Sequence, residues 1–389
     1  MLESLYPIAA AVPVTLAGAE LALRTFYRRR GAAWVYETRS IQTKQVDLEA
    51  LPGLEPFART IVNADGERGG ELPRDRSSTY RVLVAGGSAA ECFFLDQETQ
   101  WPSALQRTLE ARKSELGAQH VHVGNIARSL VRCESIDWML RATLRRVRDV
   151  DMVVLMVGAS DVVGWLQHGC PPEVYDERVA PDRCFDVHDF GPFGWSPSTL
   201  ALREHVRRIK AHIRPSRQVR ERAGKALIKL RKMRAEATQL IDEVPDPAPM
   251  LRHYERWLRQ CIQTARSHGA EVLVARQPWL QRECTPEEAA RLWNFGRGRP
   301  YEQAVAEYYS HRVVHQLLAA VDAVSARVAN EEGAASCELQ SALPADFETY
   351  YDELHFTPAG AARVGALIGE ALLRAQARRD SPPERTAAA

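Results

Sequence analysis

The 389-residue chain has no C-x-x-C pair: its seven cysteines stand singly at 92, 133, 170, 184, 261, 284 and 337. That spacing excludes zinc-ribbon and thioredoxin-type motifs, and the odd number in a long chain implies mostly reduced thiols. Only Cys170 and Cys184, which flank a loop-like segment, are placed to pair, and then only in an oxidising compartment. Net charge is lacking as well, with 51 Lys and Arg against 50 Asp and Glu. The chain as a whole therefore feels no pull toward nucleic acid or an anionic membrane. It has no internal repeat and no collagen or coiled-coil composition. With 45% hydrophobic and 26% charged residues it has the make-up of a globular protein large enough to bury a core without staples.

Long uncharged runs are also missing. The longest candidate, residues 4–19, carries no charge, and Glu20, Arg24 and the cluster Arg28, Arg29, Arg30 follow it. A spanning helix needs about 20 apolar residues, so this stretch reaches that length only if Glu20 lies at an interface. No basic residue precedes it, which argues against a cleavable signal peptide. Residues 1–30 are read as a membrane-associated helix, with contact through residues 4–23. The alternative is a buried or amphipathic helix on a cytoplasmic protein. The sequence leaves the side of the membrane open.

What is present is an alternation of short apolar strands and amphipathic helices. After an extended lead-in (31–75), Arg81–Ala85 reads as a buried strand closing on Gly86-Gly87-Ser88. A helix from Pro102 to Lys113 follows, with proline at its first position, then a strand at Val121–Val123. Residues 134–147 place Ile136, Met139, Leu140, Leu144 and Val147 on one helical face. Met152–Val157 is a third strand. A helix at Tyr254–Ser267 leads to a fourth strand, Glu271–Ala275. This order predicts an α/β fold with a parallel sheet covered by helices on both faces. The domain occupies 76–377, with an insertion at about 165–250 and a disordered tail at 378–389. Within the insertion, residues 203–234 hold 13 Lys or Arg against two Glu. Their apolar positions recur at helical spacing. They read as a solvated helical cap over the site or a membrane-surface helix, and the missing aromatic interleaving argues against nucleic acid.

In such sheets, sites form beyond the carboxyl ends of the strands. Three of those ends carry Gly86-Gly87-Ser88, Gly124-Asn125-Ile126-Ala127-Arg128-Ser129 and Gly158-Ala159-Ser160-Asp161. Near the C-terminus, Thr357 caps a helix opened by Pro358. The cap fixes the preceding turn, so Asp352 and His355 face the same way. Serine is a weak nucleophile that needs a base, and the base needs an orienting carboxylate. Ser88, His355 and Asp352 supply those chemical types. Backbone N–H groups of Ser88 and Ala127 and the side chain of Ser160 are candidate donors to an oxyanion, with Asn125 as support.

The segments GGSAAE (86–91), VHVGNIARS (121–129), VVLMVGASD (153–161) and DELHFTPAG (352–360) resemble, in order and spacing, the motifs of the SGNH (GDSL-type) serine hydrolases. The lead-in NADGERGGELP (63–73) is similar to that of membrane-associated bacterial members. The resemblance implies a three-layer, flavodoxin-like α/β/α sandwich. It implies Ser88 as nucleophile, with His355 and Asp352 as its partners. The family's oxyanion-loop glycine falls on Ala127, and its oxyanion asparagine falls on Ser160. Asp161, next along, reads as a helix cap.

The expected function is an esterase removing an acyl group, acetyl included, from a carbohydrate, lipid or other small ester, without cofactor or metal. Two rivals use other chemistry or none: acyl transfer to a hydroxyl by the same residues, and a catalytically silent membrane scaffold. A metal-dependent hydrolase built on His311 and His315, four apart on a helix, is a third; a structural or solvated pair is the simpler reading. Trp165, Trp195, Trp279 and Trp293 are candidates to line the cleft or to fill the core.

Overall fold

In the computed structural model, which describes residues 6–31, 33–176, 180–187, 200–214, 216–293 and 295–380, the apolar runs fold as strands. In chain order these are β1 (Ser40–Val46), β2 (Phe57–Ile61), β3 (Thr79–Gly86), β4 (His120–Asn125), β5 (Met152–Met156), β6 (Ser216–Ala223), β7 (Gln239–Ile241), β8 (Glu271–Ala275), β9 (Glu307–Tyr309) and β10 (Ala335–Cys337). The helices are α1 (Tyr6–Arg30), α2 (Ser88–Glu91), α3 (Trp101–Ala111), α4 (Cys133–Leu144), α5 (Ala159–Gln167), α6 (Pro181–Cys184), α7 (Ala201–Ile213), α8 (Lys225–Ala235), α9 (Ala248–Ser267), α10 (Pro286–Ala289), α11 (His311–Glu331) and α12 (Pro358–Asp380).

The central sheet has the order β4-β3-β5-β8-β10, and every neighbouring pair is parallel. Counted within the sheet alone, the order is 2-1-3-4-5, the flavodoxin-like arrangement. Successive side chains of a strand point to opposite faces, and each face here has its own core. Leu83, Ala85, Val153, Leu155, Val272 and Val274 pack with Ile136, Leu140, Leu258, Ile262 and Val314 of α4, α9 and α11. Val82, Val84, Val121, Val123, Val154 and Leu273 pack with Trp101, Leu105, Val364 and Ile368 of α3 and α12. Burial on both faces is why Val82–Ala85, Met152–Met156 and Val272–Ala275 are continuous apolar runs instead of alternating with polar residues. The expected three-layer α/β/α fold is the observed one.

The lead-in and the insertion meet in a second sheet. β1 pairs antiparallel with β2 and parallel with β6. The basic stretch 203–234 is thus a helix, a strand and a second helix, not one continuous helix. Gly224 ends the strand and opens α8, and the strand's backbone bonds to the lead-in override the local helical spacing. The C-terminal helix runs on through Arg378 to Asp380, so the first residues assigned to a disordered tail are helical. The rest of that tail lies outside the described residues. α1 is helical as expected. Its buried Glu20 accepts hydrogen bonds from the N–H groups of Ala201 (2.9 Å) and Leu202 (2.8 Å), and so supplies the N-terminal cap that α7 lacks from its own residues.

Glu67 ties the lead-in to the sheet. Its carboxylate takes Arg81 at 2.8 Å, His122 at 3.1 Å and Asn63 at 3.1 Å. Burial pushes its pKa up, but the His122 hydrogen bond and the Arg81 charge outweigh it and hold the group at about 2. Gly124 leaves the room for this, since a Cβ there would collide with the Glu67 carboxylate. All seven cysteines are free, Cys170 and Cys184 included.

Candidate active site

The strand order reverses between β3, which has β4 on one side, and β5 on the other. Crevices for ligands form at such a switch point, and Ser88 and Ser160 follow these two strands. Gly86 ends β3 pressed against β5, where a Cβ would run into the carbonyl of Met156. The tight exit places Ser88 at the first position of α2.

The second part of the site is built locally. The Thr357 hydroxyl accepts the Gly360 N–H at 3.1 Å and caps α12, as its sequence position implied. Just before it, Asp352 Oδ1 accepts the backbone N–H groups of Leu354 (2.9 Å) and His355 (3.0 Å). This turn folds the imidazole back on the carboxylate, with His355 Nδ1 2.8 Å from both Oδ1 and Oδ2. The other ring nitrogen, Nε2, is 2.7 Å from Ser88 Oγ. The ring stacks on Tyr351 at 5.5 Å and 9°, and Trp293 meets its edge at 5.6 Å. Ser88 and His355, 267 positions apart in sequence, are thus brought together, with Asp352 behind the imidazole.

The oxyanion side differs from expectation. The Ala127 N–H donates to Asn125 Oδ1 at 2.8 Å, and Ala127 is fully buried. It has no proton to offer in the cavity. Asn125 does not face the cavity either; its Nδ2 donates to the carbonyl of Ala90 at 2.8 Å, clamping the loop onto α2. The neighbouring N–H groups are also engaged, Arg128 with Gly86 and Ser129 with the Glu91 carboxylate. Ser88 is different, since first-turn N–H groups of a helix have no intrahelical partner. The same holds for the start of α5, where Ala159 and Ser160 both line the cavity. Ser160 Oγ lies beside Gly87, 2.9 Å from where a Cβ on that glycine would stand. Asp161 turns away and accepts the N–H of Cys133 at 3.2 Å. It caps α4, not its own helix, a partner that its position after Ser160 did not disclose. Burial and then the Glu134 charge push Asp161 up to about 7.

Ser88, Ser160 and His355 open on a cavity of about 530 Å³. Its walls include Phe93, Phe94, Trp293, Tyr301 and Tyr351, and the insertion adds Arg220 and Leu227. Tyr36 and Gln42 reach it from the lead-in. Trp293 is an aromatic the sequence offers for the cleft, and Arg220 and Leu227 belong to the stretch read as a cap over the site; the other lining residues follow no spacing rule. Trp165 and Trp279 are core residues, and Trp195 lies outside the described residues. Among the described residues, His311 and His315 belong to no metal-ligand group. His311 Nδ1 hydrogen-bonds the buried Glu353 carboxylate at 2.7 Å, His315 Nε2 lies 2.5 Å from its other oxygen, and Glu353 is the neighbour of Asp352. They buttress the turn that carries the imidazole.

Fold and site together define a class: a parallel α/β sandwich with a serine–histidine–aspartate hydrogen-bonded chain at its switch point. No family model matches the chain, and no curated protein is significantly similar in sequence. Among solved structures it is similar to a protein described as a GDSL-like lipase from Parabacteroides merdae, at 10% identity, 75% of this chain, 94% of that one and a TM-score of 0.40. An acetylxylan esterase from Geobacillus stearothermophilus is 14% identical over 76% of this chain and 94% of its own, with a TM-score of 0.38. An α/β hydrolase from the metagenome of Lake Arreo, Spain, is 14% identical over 78% and 97%, with a TM-score of 0.40.

Proposed function

We propose that the protein is a serine ester hydrolase of the SGNH type, acting on an acyl ester of a carbohydrate, lipid or other small molecule. The observation that carries this reading is the unbroken chain from Ser88 Oγ through His355 to Asp352, at 2.7 and 2.8 Å, opening on a cavity. In the proposed mechanism His355 Nε2 takes the Ser88 proton as Oγ attacks the ester carbonyl. Asp352 holds the imidazole with Nδ1 protonated and stabilises the imidazolium. The Ser88 N–H, the Ser160 hydroxyl and the positive end of α5 stabilise the oxyanion. Collapse expels the alcohol, which takes the proton from His355. Water, deprotonated by the same imidazole, then releases the acyl group.

Labelling with a fluorophosphonate probe tests the reading. Wild type should label and Ser88→Ala should not, with its circular dichroism unchanged. A folded wild type that fails to label removes the proposal. The same residues would pass the acyl group to a hydroxyl acceptor, for which the cavity has room beside the ester; product analysis with an acceptor alcohol present separates transfer from hydrolysis.

The proposal extends to a membrane surface. No helix among the described residues is long and apolar enough to cross a bilayer. What supports surface contact is that Val12, Val14, Leu16 and Leu21 are exposed along α1. On α7, packed against it, Val206, Ile209 and Ile213 are exposed among arginines. Apolar side chains within a basic face suit an anionic lipid surface. Sedimentation with phosphatidylglycerol vesicles should capture the wild type and release Val14→Asp/Leu16→Asp; equal sedimentation of both rejects the contact.

A further inference from the structure

Behind the oxyanion side lies a group of ionisable side chains that the proposed reaction does not use. Glu134 stands in the first turn of α4, Asp161 in the first turn of α5 and His253 on α9. All three are buried, and one ligand atom from each lies within 4.8 Å of the other two. Buried carboxylates are costly unless they are paired or coordinate a metal.

Asp161 is the informative member. Its Oδ1 takes the Cys133 N–H, whereas Oδ2 is buried without a hydrogen-bond partner. His253 Nε2 is 3.6 Å from Glu134 Oε2 and 3.1 Å from Asp176 Oδ1. Arg132 takes the opposite oxygen of Glu134, Oε1, at 2.5 Å. One imidazole nitrogen and carboxylate oxygens from separate elements therefore converge on a common point. Donors held about 2.0–2.2 Å from one ion stand about 3–4.4 Å from one another, the scale of this cluster.

We propose that Glu134, Asp161 and His253 form a binding site for a divalent transition-metal ion, with zinc the best match to a nitrogen-and-carboxylate donor set. Asp176, half-exposed at the rim, lies outside this three-ligand group, with Oδ1 3.1 Å from His253 Nε2. The charges permit the ion. Three carboxylates face the guanidinium groups of Arg132 and Arg256, which leaves one net negative charge around a neutral imidazole. The ion would join the first turns of α4 and α5 to α9. Ser160 immediately precedes Asp161, and Arg132 lines the cavity, so the site would brace the oxyanion side without touching substrate.

Zinc chloride titrated calorimetrically into the full chain after dialysis against EDTA tests the site, with metal content checked by mass spectrometry. The wild type should take up one equivalent. Asp161→Asn and His253→Gln should each weaken uptake at least about tenfold, while Ser88→Ala and His311→Ala bind as the wild type does. Should either ligand variant fail to fold by circular dichroism, Glu134→Gln replaces it. No stoichiometric uptake by the folded wild type overturns the site. So does undiminished affinity in a folded ligand variant, or uptake lost only in His311→Ala. Because Ser88→Ala is assayed for metal alone, failure of the esterase reading would leave this result standing.

Discussion

The backbone N–H of Ala127 donates to the side-chain oxygen of Asn125, two residues earlier, at 2.8 Å. The same Asn125 donates onward to the carbonyl of Ala90 in α2. A single buried amide thus fastens the β4 loop to the helix that begins with Ser88, and it uses up the proton that the loop would otherwise present to an oxyanion.

Ala127 and Ser160 therefore separate in a kinetic test. Ala127→Gly should leave kcat within about twofold of wild type, since the N–H in question does not reach the cavity. Ser160→Ala should lower kcat by about 10²–10³-fold, the usual cost of an oxyanion donor, with KM nearly unchanged. Steady-state kinetics on a chromogenic acetyl ester measures both. A large loss in Ala127→Gly alone would return that N–H to the oxyanion hole.

Asn125→Ala should act on stability. It strands the Ala127 N–H and the Ala90 carbonyl in a fully buried place, at a cost of about 1–3 kcal/mol. Urea unfolding should show a lower midpoint with an unchanged slope. An unaltered midpoint would mean that the clamp contributes nothing.

Asp352→Asn keeps an oxygen for the N–H groups of Leu354 and His355 but no longer orients the imidazole or stabilises its cation. The fold should persist while kcat drops about 10³–10⁴-fold. Thermal melting beside initial rates checks the pair of outcomes; near-wild-type turnover would remove Asp352 from the mechanism.

Glu67 makes acid stability testable. Its folded pKa of about 2 lies below the ordinary value of about 4.3 for glutamate, a gap worth at most about 3 kcal/mol. A lowered carboxylate pKa contributes stability that is complete above the unfolded value and is lost as pH falls through the folded one. Wild type should exceed Glu67→Gln most at pH 7, and the gap should narrow from about pH 4 downward. Parallel urea melts at pH 7, 4 and 3 give the difference, and a gap that does not change with pH would contradict the assignment.

The sequence by itself determined the elements whose causes are local or periodic. Val82–Ala85 and Met152–Met156 are apolar at every position because both sheet faces are covered, so they read as buried strands. Asp352, His355 and Thr357 sit in one turn whose hydrogen bonds span only a few residues, so their convergence was legible from spacing. Tertiary structure decided what depends on distant partners. It gave the Ala127 N–H to Asn125, aimed Asp161 at Cys133 and set His311 and His315 on Glu353. It also turned part of the basic stretch into β6, because the backbone of β1 was there to pair with it. A side chain's local sequence limits where it can point, but which donor or acceptor waits there is set by the packing of elements far away in the chain.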